Sequence, residues 1–161
     1  MSHKPVAVLV GPPGSGKTTV GTALAERLRI PLRDTDQDVE ALTGSTIADL
    51  FVDRGEDYFR ELESEAVRAA LDSHGGVLSL GGGAVLRPET RKALTSHYVV
   101  WLDVSVPSAV KRLDMNVARP LLLGNVGTTS RGALAKHCNS KLYLSPVAFR
   151  AAATAGRIAA S

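Results

Sequence analysis

The octapeptide GPPGSGKT, Gly11–Thr18, fits the pattern G-x-x-x-x-G-K-[ST]. Such a loop can curl its backbone N–H groups around phosphate oxygens. Gly11, Gly14 and Gly16 permit the curl, and Ser15 and Thr19 belong to the same cradle. Lys17 is placed to reach the β- and γ-phosphates as a point charge, and the Thr18 hydroxyl to ligate Mg²⁺. The chemistry implied is binding of a nucleoside triphosphate. The pattern does not specify what accepts the phosphoryl group.

Other residues address the acceptor. LRDTDQD, Leu32–Asp38, places Asp34, Asp36 and Asp38 at alternate positions. Taken alone, such a run reads either as a solvated acidic loop or as a holder of hydroxyls and cations. Arg60, in FRELE, can hold a carboxylate bidentately or form a solvated i, i+3 pair with Glu63. Gly81, Gly82 and Gly83 follow an apolar stretch in SLGGGAV, either as a left-handed turn or as backbone open to a ligand. Arg119 precedes a proline in ARPLL, where a lid could deliver it to phosphates, and Arg112 lies seven residues earlier.

These residues need a scaffold, and the pattern supplies one. VAVLV, Val6–Val10, reads as a strand buried on both faces. Lys17 to about Leu28 reads as a helix with Val20, Leu24 and Leu28 on one face. IPLRD reads as a second strand. GSTIADLFVDRG reads as a short helix capped by Ser45 or Thr46, and Glu56–Ser73 as an amphipathic helix burying Phe59, Leu62, Ala66 and Ala69. GVLSLGGGAV and HYVVWLDV read as strands, and SVPSAVKRLDM as the start of a helix. Beyond Asn116 only a short helix near Arg131–His137 is legible, with no convincing final strand. The alternation predicts an α/β fold with a parallel sheet and helices on both faces.

The chain of 161 residues is long enough for one domain and too short for two. No apolar run approaches the roughly 20 residues that span a bilayer, and the N-terminal segment lacks secretory features. The single Cys138 and the scattered histidines offer no metal-ligand spacing, and one thiol suits a reducing cytoplasm. Through Asp114 there are sixteen carboxylates against thirteen Lys and Arg; beyond it there are six cations and no carboxylate. A basic excess confined to one end, without interleaved aromatics, argues against nucleic acid as a partner.

In order and spacing, GPPGSGKT, RDTDQDVE, FRELE, SLGGGAV and ARPLL make the chain resemble the shikimate kinase family, over about residues 5 to 125. The resemblance implies a three-layer α/β/α kinase domain over residues 1–161, with an acceptor region near 34–63, a lid near 114–126 and an atypical tail near 127–161. It implies about five parallel strands in the order 2-3-1-4-5. It also implies ATP and Mg²⁺ as cofactors, shikimate as the small-molecule substrate and a cytoplasmic monomer. By the same resemblance Asp36 meets the acceptor hydroxyls, Asp34 supports Mg²⁺ with Thr18, and Asp38 is solvated. Arg60 grips the acceptor carboxylate with Glu63 orienting it, and Gly81–Gly83 lie against the acceptor ring. Ser79 stands near the metal, Arg119 stabilises transfer and Arg112 lies near adenine. The family's further carboxylate-gripping arginine aligns with Asn139, ahead of Leu142 and Tyr143. That departure leaves two other readings: a non-catalytic ATP-binding relative, or a kinase of another hydroxy acid such as gluconate.

Overall fold

The computed structural model describes residues 4–102 and 141–144. Its centre is β1, Ala7–Val10, four apolar residues that are all buried. A strand with no polar face must be covered on both sides, and this one is. β1 pairs in parallel with β3 (Val77–Ser79) on one side and β4 (Val99–Leu102) on the other. β2 (Leu32–Asp34) adds outside β3, and β5 (Lys141–Leu144) outside β4. The resulting order is β2-β3-β1-β4-β5. The order expected by resemblance is therefore observed. A final strand was not legible in the sequence, but the backbone of Lys141–Leu144 pairs with Val99–Leu102 in continuous register.

The sheet divides the core. On one face Val8, Val10, Leu78, Leu80, Val99 and Trp101 pack against Val67, Ala70 and Leu71 of α3 (Ile47–Ser73). On the other, Leu9, Val77 and Leu102 meet Val20 and Ala25 of α1 (Lys17–Leu28). Alternation along β1 thus sends successive side chains into different layers. Leu28 does not share the buried face assigned to it; it is 42% exposed, and Gly21 and Ala25 are buried instead.

The acidic run is not a loop. Asp34 caps α2 (Thr35–Thr43), accepting a hydrogen bond from the Asp36 N–H at 2.9 Å. Aspartate is a poor helix former but a favoured N-cap, and Asp36 and Asp38 fall in the first turn, where the helix dipole favours negative charge. Of the two candidate caps for the next helix, Thr46 is the one used: its hydroxyl accepts from the Asp49 N–H at 3.2 Å. α3 is broken at Gly55 (φ 84°, ψ 169°), as the sequence division before Glu56 anticipates. Its buried face after the break is displaced from the expected one. Phe59, Arg60, Glu63, Val67, Ala70 and Leu71 are buried, whereas Ala69 is exposed and Leu62 and Ala66 are half-buried. A short helix, α4 (Pro88–Ala93), was not anticipated. The expected helices beginning at Ser105 and near Arg131, the lid, and the tail apart from β5 lie outside the described residues.

Candidate active site

The carboxyl ends of β1, β2 and β3 meet at one edge of the sheet, and each continues into a functional segment. β1 runs into the glycine loop. There Gly14 (φ 76°) and Gly16 (φ 89°) hold left-handed conformations that a side chain would resist, and Gly16 leads directly into α1. The Lys17 ammonium donates to the carbonyls of Gly11 at 2.8 Å and Pro12 at 3.1 Å. The cation is therefore held over the loop that its sequence pattern assigns to phosphates. Ser15 is buried within the loop, whereas Thr18 and Thr19 are exposed on the first turn of α1.

β2 ends in Asp34. Burial raises the pKa of this carboxyl, and repulsion from Asp36 adds to the rise. The Asp36 N–H, the Ser79 hydroxyl and the charge of Lys17 offset part of it. Asp38 is not merely solvated; it pairs with Arg33 at 2.8 Å. Among the described residues no group of three or more His, Cys, Asp or Glu forms a metal cluster. Thr18 and Asp34 carry the hydroxyl and carboxylate oxygens that suit Mg²⁺, an ion that keeps waters and takes much of its coordination from nucleotide phosphates.

Arg60 and Glu63 are not a solvated pair. Arg60 Nη1 donates to Glu63 Oε2 at 2.7 Å, and the two side chains are only 6% and 2% exposed. Phe51 and Phe59 stand 5.9 and 5.4 Å from the guanidinium carbon, each in cation–π range. Burial works against the charge on Arg60, but attraction to Glu63 and hydrogen bonds to Glu63 and Glu56 raise its pKa further. Glu56 is a partner of Arg60 that the sequence analysis does not single out. A carboxylate four residues before an arginine on a helix is the signal that could have found it.

β3 ends in Ser79 and runs on to Gly81, Gly82 and Gly83. None of these three glycines has a positive φ, so a left-handed turn is not why glycine is needed. Space is the reason. A Cβ on Gly81 would fall onto Glu63 Oε1 and Asp36 Oδ1, and one on Gly83 onto both terminal nitrogens of Arg60. A Cβ on Gly82 would come within 2.6 Å of Pro13 Cδ in the phosphate loop. The Gly81 N–H also donates to Thr35 Oγ1 at 3.2 Å, tying the turn to the start of α2. The triglycine backbone is thus the joint at which the glycine loop, Asp36 and the Arg60–Glu63 pair meet. Arg112, Arg119 and Asn139 lie outside the described residues.

Residues 13–158 match the family model described as "Shikimate kinase". This chain belongs to the shikimate kinase family. A shikimate kinase from Salinispora arenicola is 53% identical over 153 residues, 95% of this chain and 90% of that protein. One from Thermobifida fusca is 56% identical over 125 residues, 78% of this chain and 73% of that protein. A solved structure, shikimate kinase from Acinetobacter baumannii in complex with shikimate, superposes with a TM-score of 0.77 at 32% identity, covering 96% of this chain and 91% of that one. The family match runs past residue 125, where the motifs readable in the sequence stop. A gluconokinase from Sinorhizobium meliloti shares the fold, with a TM-score of 0.55, but only 19% identity. As a member of the shikimate kinase family the chain is an ATP-using kinase.

The triglycine joint makes a direct prediction. Gly83→Ala should displace the Arg60 fork and raise KM for shikimate by about 10- to 100-fold, the scale of an ångström-sized misplacement. Steady-state kinetics beside a circular dichroism spectrum would check this. A KM within twofold of the parent, in a folded variant, would remove the triglycine turn from the acceptor site.

Proposed function

We propose that the protein transfers the γ-phosphoryl group of ATP to a hydroxyl of shikimate, giving shikimate 3-phosphate on the route to aromatic amino acids. The observation that carries this reading is the triglycine joint, which sets an arginine clamp suited to a carboxylate and an aspartate suited to a hydroxyl against the phosphate loop.

The roles follow from charge and position. The backbone N–H groups from Gly14 to Thr19 and the amino end of α1 hold the phosphates. Lys17 leaves the loop carbonyls to meet the γ-phosphate as charge shifts in transfer. Mg²⁺, held through Thr18 and Asp34, would neutralise phosphate charge. Arg60 grips the acceptor carboxylate with Glu63 fixing its orientation, so binding energy remote from the reaction aligns the hydroxyl. Asp36 orients that hydroxyl and receives its proton. Phosphoryl transition states are loose, so alignment matters more than strong basicity. Arg119 completes the phosphate environment and Arg112 borders the base, roles supported by resemblance. The reading extends to one kinase domain, with the lid near 114–126, acting as a cytoplasmic monomer. Among the described residues no helix is long and apolar enough to cross a membrane.

The test is ADP release from ATP with Mg²⁺, with and without shikimate, with gluconate as the competing acceptor and excess chelator as the metal control. Release that requires both shikimate and Mg²⁺ is expected. Release with gluconate alone would replace the acceptor, and release undiminished by chelator would remove the Mg²⁺ roles of Thr18 and Asp34.

A further inference from the structure

The Arg60 guanidinium presents two edges, and neither is vacant. One nitrogen, Nη1, belongs to Glu63, in a buried bond of 2.7 Å. The other edge is spanned by a single oxygen of Glu56: Oε1 accepts from Nε at 3.3 Å and from Nη2 at 3.2 Å. That Nε/Nη2 edge is a fork a ligand carboxylate can engage bidentately. The two carboxylates differ in kind. Glu63 is 2% exposed and fixed, whereas the Glu56 side chain is 58% exposed and reaches its partner through longer contacts. Glu56 also follows Gly55, where the backbone leaves helical geometry, so it starts the second segment of α3 at the edge of the site.

The surroundings of Arg60 limit where a ligand can approach. Glu63 holds one side, Gly83 abuts Nη1 and Nη2, and the rings of Phe51 and Phe59 lie within 6 Å. Glu56 reaches in from the side open to solvent. An acceptor carboxylate seeking a two-point grip on Arg60 would have to take the place of Glu56 Oε1. It would also meet the negative charge of Glu56 on approach.

We propose that Glu56 is an internal competitor for the acceptor's carboxylate. It occupies the Arg60 fork when the site lacks acceptor and swings out to solvent when acceptor binds. Glu56 is therefore a positioning residue that sets acceptor affinity through Arg60. In the free enzyme it keeps a buried cation doubly paired; in the complex the ligand carboxylate replaces it. The inference rests on the reading of Arg60 as the carboxylate grip.

The experiment measures shikimate binding to the full chain without nucleotide by titration calorimetry, for the parent, Glu56→Ala and Glu56→Asp. Glu56→Asp keeps the charge but withdraws it by one methylene, and both changes fall at an exposed position. Each variant should bind shikimate about 2- to 5-fold more tightly, the scale of one exposed ion pair. KM for shikimate should fall in proportion, with no matching change in KM for ATP. Unchanged or weaker binding in Glu56→Ala would overturn the proposal, since Glu56 would then be supporting the grip rather than competing for it. Tighter binding in Glu56→Ala but not in Glu56→Asp would also overturn it, in favour of repulsion at a distance. Absence of shikimate binding in all three proteins would instead overturn the reading of Arg60 as the grip, and the inference with it.

Discussion

Asp36→Asn should lower kcat by about 10²- to 10⁴-fold, the usual contribution of a positioned acid–base group. The substitution keeps the shape of the side chain, so the contact with Gly81 is preserved and α2 keeps its Asp34 cap. On the proposed reading of Asp36, what changes is the ability to accept the proton of the attacking hydroxyl and to hold that hydroxyl by a charged acceptor. Phosphate binding depends on the loop and Lys17, which α2 does not supply, so affinity for ATP should persist. Single-turnover measurements with saturating ATP and shikimate would isolate the transfer step. A rate within tenfold of the parent would mean that Asp36 does not direct the nucleophile.

Arg60→Ala should damage the fold as well as the site. It removes the partner of Glu63 and leaves a carboxylate that is 2% exposed without its cation. Breaking a buried pair from one side costs about 3–5 kcal/mol, a large part of the roughly 5–15 kcal/mol that holds a domain together. Urea denaturation should show a strongly lowered midpoint. The double variant Arg60→Met with Glu63→Leu separates stability from function. Replacing both charges by apolar groups is often neutral or stabilising. The double variant should therefore recover most of the stability while remaining unable to grip shikimate. If it stayed as unstable as Arg60→Ala, packing of the guanidinium against Phe51 and Phe59 would be the larger contribution.

Where the sequence reading succeeded, local chemistry and tertiary structure demanded the same residues. Ala7–Val10 of VAVLV form the doubly covered strand that the run predicts, with Val6 exposed and outside it, and GPPGSGKT carries its turn in its glycines. Failures have physical causes as well. The acidic run disguised α2 because aspartate discourages helix interiors, yet here the aspartates sit at the cap and first turn, where they are favoured. The buried face of α3 was misplaced because hydrophobic patterning assigns charges to solvent. Arg60 and Glu63 are buried because each neutralises the other. The need for Gly81–Gly83 was legible, but its reason was not, since close approach depends on side chains 18 to 69 positions away in the chain, from Pro13 to Glu63. β5 escaped notice because KLYL has little strand signature of its own and takes its register from β4. The Glu56–Arg60 spacing of i, i+4 says little by itself, because exposed pairs at that spacing are common and weak.

The central place of β1 in the sheet governs when the site can first exist. Residues 7–10 are made before their strand partners, residues 77–79 and 99–101. A growing chain therefore carries the complete phosphate-loop sequence long before there is a sheet edge from which to suspend it. The triglycine joint, which must lie beneath Pro13, also arrives only after residue 80. Parallel pairing of this kind closes long segments of chain at once and is slow to form. Nucleotide can thus stabilise the nascent protein only late in synthesis, after β4 has been made. Until then the apolar strand VAVLV is an unpaired segment that chaperones would be expected to shield.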